Sequence, residues 1–138
     1  MAIETVGQWP ANVSLAEAEA YCRWRGKRLP TEAEMHRAAY AAPDGTQRLY
    51  PWGDQAPQKQ HGNFGWQYFS PVPVGSHPAG ASAWGVEELV GNGWEWTTTL
   101  FRGLPGFKPY ARTYPGYSQD FFDDLHCVIF GGAWPTDS

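Results

Sequence analysis

The chain reads Gly91-Asn92-Gly93-Trp94-Glu95-Trp96-Thr97 in its C-terminal half, and this stretch decides the fold. Two further blocks follow it, Tyr114-Pro115-Gly116-Tyr117-Ser118-Gln119-Asp120-Phe121-Phe122-Asp123 and Gly131-Gly132-Ala133-Trp134. Clusters of β-branched and aromatic residues predict short strands, and a stretch rich in proline and glycine predicts an exposed loop. The expected strands lie at 71–75, 94–99 and 126–131, and the expected loop at 102–116.

Length and composition favour one loop-rich domain. A chain of 138 residues is long enough for one hydrophobic core but too short for two. Eight Trp, seven Tyr and seven Phe supply many rings to bury, while 16 Gly and 12 Pro divide the backbone into short pieces. We therefore expect a single domain over residues 1–138 with little regular helix or sheet.

The charge pattern argues against nucleic acid and membrane partners. The formal net charge is −4, and the ten Lys and Arg residues are scattered along the chain. No window approaches the roughly 20 apolar residues that a membrane span requires. The N-terminus also lacks a basic segment followed by an apolar one. These features predict a cytoplasmic protein, and in that compartment we expect Cys22 and Cys127 to be buried free thiols rather than a disulfide.

Two capping boxes predict two short helices near the N-terminus. Ser14 and Glu17 form the first box, and apolar residues follow it at three-to-four-residue spacing, as in an amphipathic helix. Thr31 and Glu34 form the second box, again ahead of an apolar face. The expected helices span about 14–25 and about 32–41.

The three C-terminal blocks, together with the segment from Arg25 to Glu34, resemble the formylglycine-generating-enzyme-like (sulfatase-modifying factor) domain. The likeness is strongest to the C-terminal domain of ergothioneine- and ovothiol-type sulfoxide synthases, and it covers residues 9–134. It implies an α+β, loop-rich, C-type-lectin-related fold with two short N-terminal helices and short antiparallel strands. The implied chemistry joins cysteine or γ-glutamylcysteine to trimethylhistidine through a C–S bond, with dioxygen and non-heme iron.

Iron is the cofactor that this resemblance implies, and the sequence offers no ligand motif for it. Non-heme iron is usually held by histidine and carboxylate ligands. The four histidines contain no His-x-x-x-His pair. In the synthases the iron ligands come largely from an N-terminal helical domain, which this chain does not contain, and the family also continues with a C-terminal tail. We therefore expect Fe(II) to be supplied by a separate helical-bundle domain, and whether the isolated chain is an enzyme stays open.

Asn92, Glu95 and Asn63 are the candidate ligands for calcium. Related formylglycine-generating domains bind structural Ca²⁺ near a segment of this type, and amide and carboxylate oxygens are the ligands that Ca²⁺ prefers. Asn63 would belong to a second such site. In the alternative interpretation, Asn92 only shapes a turn and Glu95 accepts backbone hydrogen bonds or pairs with arginine.

Tyr110 and Tyr114 are the candidate catalytic residues. The resemblance implies a tyrosine from this domain that donates a proton during the oxygen-dependent reaction, a role that suits a phenol because it is neutral at pH 7. Tyr117 lies in the same stretch and ranks third for this role; we also assign it to substrate binding. Packing of the ring, with the hydroxyl bonded to a loop, is an equally strong explanation for each of them.

Phe121, Phe122 and Trp134 are the candidate wall of a substrate site, with Asp120 beside them. Aromatic faces attract quaternary cations such as trimethylammonium, and a carboxylate would balance the charge. Core packing of the rings and a solvated acidic turn explain the same residues.

Two other functions remain open at this point. A non-catalytic ligand-binding module on the same scaffold would display the 102–124 loop. Formylglycine generation is disfavoured, because enzymes of that type bind copper through a C-terminal cysteine pair and only Cys127 lies in that region. Exposed rings also predict association of the chain with itself or with an iron-binding partner.

Overall fold

A computed structural model describes residues 7–110, 112–113, 116 and 119–137. The described chain is an α+β domain with long irregular connections, as the resemblance implied. Its regular elements are helix α1 (Leu15–Trp24), helix α2 (Glu32–Tyr40), a short 3₁₀ turn (Pro78–Gly80), strand β1 (Gly93–Leu100) and strand β2 (Cys127–Gly132).

Both predicted helices are confirmed, and each begins at its predicted cap. The Ser14 hydroxyl accepts a hydrogen bond from the Glu17 backbone N–H, and the Glu17 carboxylate accepts one from the Ser14 N–H. Thr31 and Glu34 form the same reciprocal pair at the start of α2. Each box satisfies two backbone donors that the first helical turn would otherwise leave without partners.

The two strands near the C-terminus form one antiparallel pair. Gly93 lies opposite Gly132, and Glu95 lies opposite Phe130. The register shifts between Trp96 and Leu100, where the pairing contains a bulge. The loop between the strands is exposed over its described residues at 102–110, as the sequence predicted.

The strand predicted at 71–75 was wrong. Its residues form no strand, because Pro71 and Pro73 have no backbone N–H to donate to a sheet. The remaining donors bond elsewhere: the Val72 N–H donates to Asn92 Oδ1 at 2.8 Å, and the Val74 N–H donates to the carbonyl oxygen of Gln8 at 2.7 Å.

A small core joins α2 to the strand pair. Met35 and Ala39 of α2 are buried against Leu89 and Phe130, with Tyr40 at the edge. Helix α1 contributes no residue to this core, because none of its residues is buried.

The apolar face of α1 is open, and the cysteines are only partly covered. Tyr21 is 59% exposed and Trp24 is 75% exposed. Cys22 and Cys127 are free thiols, as predicted, but both are partly exposed rather than buried.

Candidate functional site

A cluster of aromatic rings lies at the end of the hairpin where β1 leaves the sheet and β2 enters it. Phe122 packs between Phe101 and Phe107, with ring centroids 5.0 Å and 5.5 Å apart. Phe107 in turn meets the edge of Tyr110 at 6.5 Å. Gly103 packs closely against this cluster, since a Cβ at this position would lie 3.0 Å from the Phe107 ring and 3.2 Å from the Phe122 ring. The exposed loop is therefore folded onto a base of rings.

A small apolar pocket opens beside this cluster. We call it the loop-end pocket, and its volume is about 290 Å³. Phe121, 47% exposed, stands at right angles to the His126 ring with centroids 5.1 Å apart. The pocket is lined by Phe101, Phe121, His126, Cys127, Val128 and Ile129.

Asp123 fixes the orientation of the His126 ring in this pocket. His126 Nδ1 lies 2.9 Å and 3.0 Å from the two Asp123 carboxylate oxygens, so with Asp123 ionised Nδ1 carries the proton. The hydrogen bond from His126, with one from the Leu125 backbone, lowers the pKa of Asp123 to about 2. The carboxylate therefore stays charged at neutral pH, and Nε2 is the ring nitrogen left to meet a ligand.

The structure brings some of the predicted site residues together and separates one. Tyr110, Phe122 and Phe121 belong to the hairpin end described above, and Asp120, which is exposed, lies in the same turn. Trp134 lies beyond the opposite end of β2. Trp134 is not among the residues that line the loop-end pocket. Tyr114 and Tyr117 lie outside the described residues.

Trp134 borders a different cavity. Its ring meets the edge of Trp66, with centroids 5.0 Å apart. A cavity of about 380 Å³ lies alongside and also includes Trp94, Trp96 and Asn92. Ile129 lines both this cavity and the loop-end pocket, so the two cavities are neighbours, with Trp134 in one and Phe121 in the other.

Asn63 and Asn92 form a buried polar clasp. The Asn63 amide nitrogen donates to Asn92 Oδ1 at 3.1 Å, and that oxygen also accepts from the Val72 backbone N–H. The Asn92 amide nitrogen donates to the Val72 carbonyl oxygen at 3.0 Å. The Asn92 side chain thus holds the 70–72 segment, which corresponds to the alternative in which Asn92 shapes a turn. Asn63 Oδ1, in contrast, accepts no hydrogen bond from the described residues.

Glu95 lies apart from this clasp and close to Glu88. Burial raises the pKa of the Glu95 carboxyl to about 8, and the negative charge of Glu88 adds to the rise. One carboxylate oxygen of each residue is buried with no hydrogen-bond partner among the described residues. A Cβ at Gly131 would collide with Glu95 Oε2 and lie 3.1 Å from the Leu89 carbonyl oxygen. Two carboxylates beside a backbone carbonyl are a donor set that suits a hard cation.

Sequence reasoning did not single out Glu88, His126, Phe101 or Phe107. The feature of the sequence that could have identified Glu88 is its position, because Glu88 and Glu95 lie on opposite sides of the turn that holds Gly91 and Asn92. That turn is tight: Glu88, Gly91 and Asn92 all have positive φ, at 60°, 90° and 66°. Only this backbone geometry shows that the two glutamates approach each other.

The described part of the chain offers no centre for iron. Within it, no three His, Cys, Asp or Glu side chains converge closely enough to hold a metal ion. The described residues therefore do not fit the Fe(II) that the resemblance implies.

Comparison with known proteins defines the family. Residues 2–137 match the sulfatase-modifying factor enzyme 1-like domain, the family of the formylglycine-generating enzymes, and the chain belongs to it. The solved structure of PvdO from Pseudomonas aeruginosa superimposes with a TM-score of 0.62 and 25% identity. That likeness covers 94% of this chain and 51% of PvdO.

Among named relatives, a hercynine oxygenase from Mycobacterium tuberculosis is 47% identical over 127 residues, which cover 91% of this chain and 29% of that protein. A formylglycine-generating enzyme from the same organism is 40% identical over 113 residues, which cover 71% of this chain and 36% of that enzyme. An ergothioneine biosynthesis protein 1 from Neurospora crassa is 42% identical over 74 residues, covering 54% of this chain and 8% of that protein. The chain thus spans less than a third of the length of the hercynine oxygenases that it matches.

Proposed function

We propose that this chain is the substrate-binding domain, or a fragment, of a non-heme iron sulfoxide synthase of the ergothioneine type. The reaction would join the thiol of cysteine or γ-glutamylcysteine to the imidazole of trimethylhistidine, with Fe(II) held by residues outside this chain. The observation that carries the proposal is the 47% identity to a hercynine oxygenase over 91% of the chain. No helix among the described residues is long and apolar enough to cross a membrane.

The loop-end pocket supports the binding of a trimethylammonium group. Phe121 presents an exposed ring face, and a quaternary cation on such a face gains about 0.5–2 kcal/mol. The Asp120 carboxylate lies in the adjacent turn and would balance the charge of the cation. A pocket of about 290 Å³ is of the size that suits one small ligand.

The predicted residues differ in whether they line the loop-end pocket and could contact a substrate bound there. Trimethylhistidine is short: its trimethylammonium group lies about 7 Å from the reacting carbon, given covalent bonds of ~1.5 Å. Tyr110 does not line the loop-end pocket and is connected to Phe122 through Phe107, so the proposal places Tyr110 at the reacting end of the substrate and Phe121 at its trimethylammonium end. Trp134 lines the neighbouring cavity, which shares Ile129 with the pocket.

Within this assignment Tyr110 is the proton donor and His126 a second polar contact. The Tyr110 side chain is 66% exposed on the loop, where it would face an iron-bearing domain docked on the hairpin end. His126 Nε2 would accept a hydrogen bond from the substrate, because Asp123 holds the proton on Nδ1. Bound iron would supply the activation of dioxygen.

Calcium, in this proposal, stabilises the turn behind β1. Glu95 and Glu88 would hold the ion together with backbone carbonyl oxygens, and Asn63 Oδ1 would serve a second ion. Each of these residues has a buried oxygen that lacks a donor among the described residues. A cation would remove the repulsion between the two carboxylates.

The alternative functions have less support. Ancestry close to hercynine oxygenases does not favour a non-catalytic binding module. Formylglycine generation would need a pair of cysteines, whereas Cys22 lies on α1 and Cys127 begins β2, both as free thiols. Exposed rings such as Trp24 and Phe69 support docking of the iron-bearing domain or self-association.

The test is the affinity for trimethylhistidine against histidine, measured by NMR titration. We expect trimethylhistidine to bind more tightly, and Phe121→Ala to weaken it by about 3- to 30-fold, the worth of one cation–π contact. Phe69→Ala is the matched control, because it removes a ring that is 83% exposed and lies outside the pocket. Equal affinity for the two ligands, or equal losses in the two variants, would contradict the assignment.

A further inference from the structure

An open cleft of about 560 Å³ lies at the C-terminal end of α2, and it shares no lining residue with the loop-end pocket. Two arginines and a histidine line it, and no carboxylate does, although the net charge of the chain is −4. A local concentration of positive charge in an acidic protein calls for an explanation. The lining residues are His36, Arg37, Tyr40, Ala41, Gln47, Arg48 and Leu49.

The fold brings the two arginines to this cleft from different segments. Arg37 lies in the last turn of α2. The chain then reverses, and Ala41 pairs with Gln47 in an isolated β-bridge. The Arg48 N–H donates to the Tyr40 carbonyl oxygen at 2.9 Å, which fixes Arg48 beside the end of the helix.

Each guanidinium is held in place by an uncharged group. Arg37 lies over the Trp84 ring at 5.4 Å. Arg48 Nη1 donates to the Pro51 carbonyl oxygen at 3.3 Å. Within the described part of the chain, neither arginine has a carboxylate oxygen within 4 Å.

Two acidic side chains interact with residues of the cleft but form no salt bridge with its arginines. The Asp44 carboxylate accepts hydrogen bonds from the hydroxyl and the backbone N–H of Thr46, which lower its pKa, and the charge of Arg48 adds to the fall. Glu32 lies 3.9 Å from His36 on the same helix. Favourable interaction with the helix dipole explains a cation in the last helical turn, such as Arg37, but not the approach of Arg48 from a loop.

We propose that this cleft binds a small ligand that joins an oxyanion, carboxylate or phosphate, to a flat ring. Two guanidinium groups match the paired oxygens of either anion through charge-assisted hydrogen bonds. Tyr40 and Leu49 also line a second cavity, of about 300 Å³, which contains Tyr50 and Trp52. The ring of the ligand would enter this aromatic space while the anion stays between the arginines.

The experiment is an NMR titration of the ¹⁵N-labelled chain with four probes: benzoate, phenyl phosphate, phenol and inorganic phosphate. We expect benzoate or phenyl phosphate to shift the Arg48 and Leu49 signals at millimolar concentration. The two anions distinguish a carboxylate from a phosphate ligand. Phenol lacks the charge and inorganic phosphate lacks the ring, so both should bind more weakly.

Variants establish whether the arginines are responsible. Arg37→Ala and Arg48→Lys should each weaken binding by about 10-fold, the worth of a charged hydrogen bond. Arg23→Ala is the matched control: it removes the same charge from exposed α1 and should leave the affinity unchanged. Arg48→Lys keeps the charge and limits the risk of unfolding. An equal loss in Arg23→Ala, no loss in Arg37→Ala, or no shift with either anion would overturn the proposal.

Discussion

Replacing Glu95 by glutamine should remove a pH dependence from the stability of the calcium-free chain. Burial raises the pKa of the Glu95 carboxyl from 4.5 to about 8, with a further contribution from Glu88. At about 1.4 kcal/mol per pKa unit, this rise limits the effect to about 5 kcal/mol. Glu95 is only partly buried, so its surroundings relax around the charge, and we expect about 2 to 3 kcal/mol.

The sign follows from which state keeps the proton. Below pH 4.5 the Glu95 carboxyl is protonated in both the folded and the unfolded chain, and its contribution to the free energy of unfolding is fully present. As the pH rises towards about 8, the unfolded chain loses the proton first, so the free energy of unfolding falls. Urea unfolding in the presence of a chelator, followed by tryptophan fluorescence across this pH range, measures the fall.

Glu95→Gln should flatten this fall, and calcium should oppose it in the unchanged chain. An ion at 100 times its dissociation constant adds about 2.7 kcal/mol, and mainly at high pH, where the carboxylates are free to bind it. Glu19→Gln, on the exposed surface of α1, is the control and should keep the original slope. The reasoning fails if Glu95→Gln keeps that slope, or if calcium stabilises Glu95→Gln as much as the unchanged chain.

The remaining predictions concern a turn and the proposed proton donor. Gly91→Ala should cost about 2 to 4 kcal/mol in urea unfolding, because φ is +90° and a Cβ would lie 2.6 Å from the Asn63 carbonyl oxygen. Gly85→Ala, with φ of +74° and nothing within 4 Å of its Cβ, should cost only about 1 kcal/mol; equal costs would mean that contact with Asn63 is unimportant. Tyr110→Phe should slow C–S bond formation by about 100-fold or more in the enzyme assembled with its iron-binding part, while substrate binding persists. Tyr21→Phe is the control, and equal activity of the two variants would exclude Tyr110 as the donor.

Local sequence patterns predicted the elements that depend on neighbouring residues. The capping boxes at Ser14 and Thr31 specify hydrogen bonds within four residues, so they place the helix starts without tertiary information. The strand expected at 71–75 was wrong although Pro71 and Pro73 are a local signal against it. What local patterns could not show is where the N–H of Val72 bonds instead, which is Asn92, twenty positions away.

Local patterns also failed to say which faces are covered. The apolar spacing in α1 predicted an amphipathic helix, and none of its residues is buried. Periodicity shows that a helix has an apolar side, whereas burial depends on what lies opposite.

The family, the α+β class and the helix starts could be predicted from the sequence alone, as could the aromatic character of the candidate site. Only the tertiary structure decided how the candidate residues group. Trp134 and Phe121 line two neighbouring cavities, and the turn at Gly91 brings Glu88 to Glu95. The reversal after α2 places Arg48 beside the end of that helix. The physical reason is that a site is defined by distances between side chains from distant segments, and these distances follow from strand register, backbone turns and packing rather than from spacing along the chain.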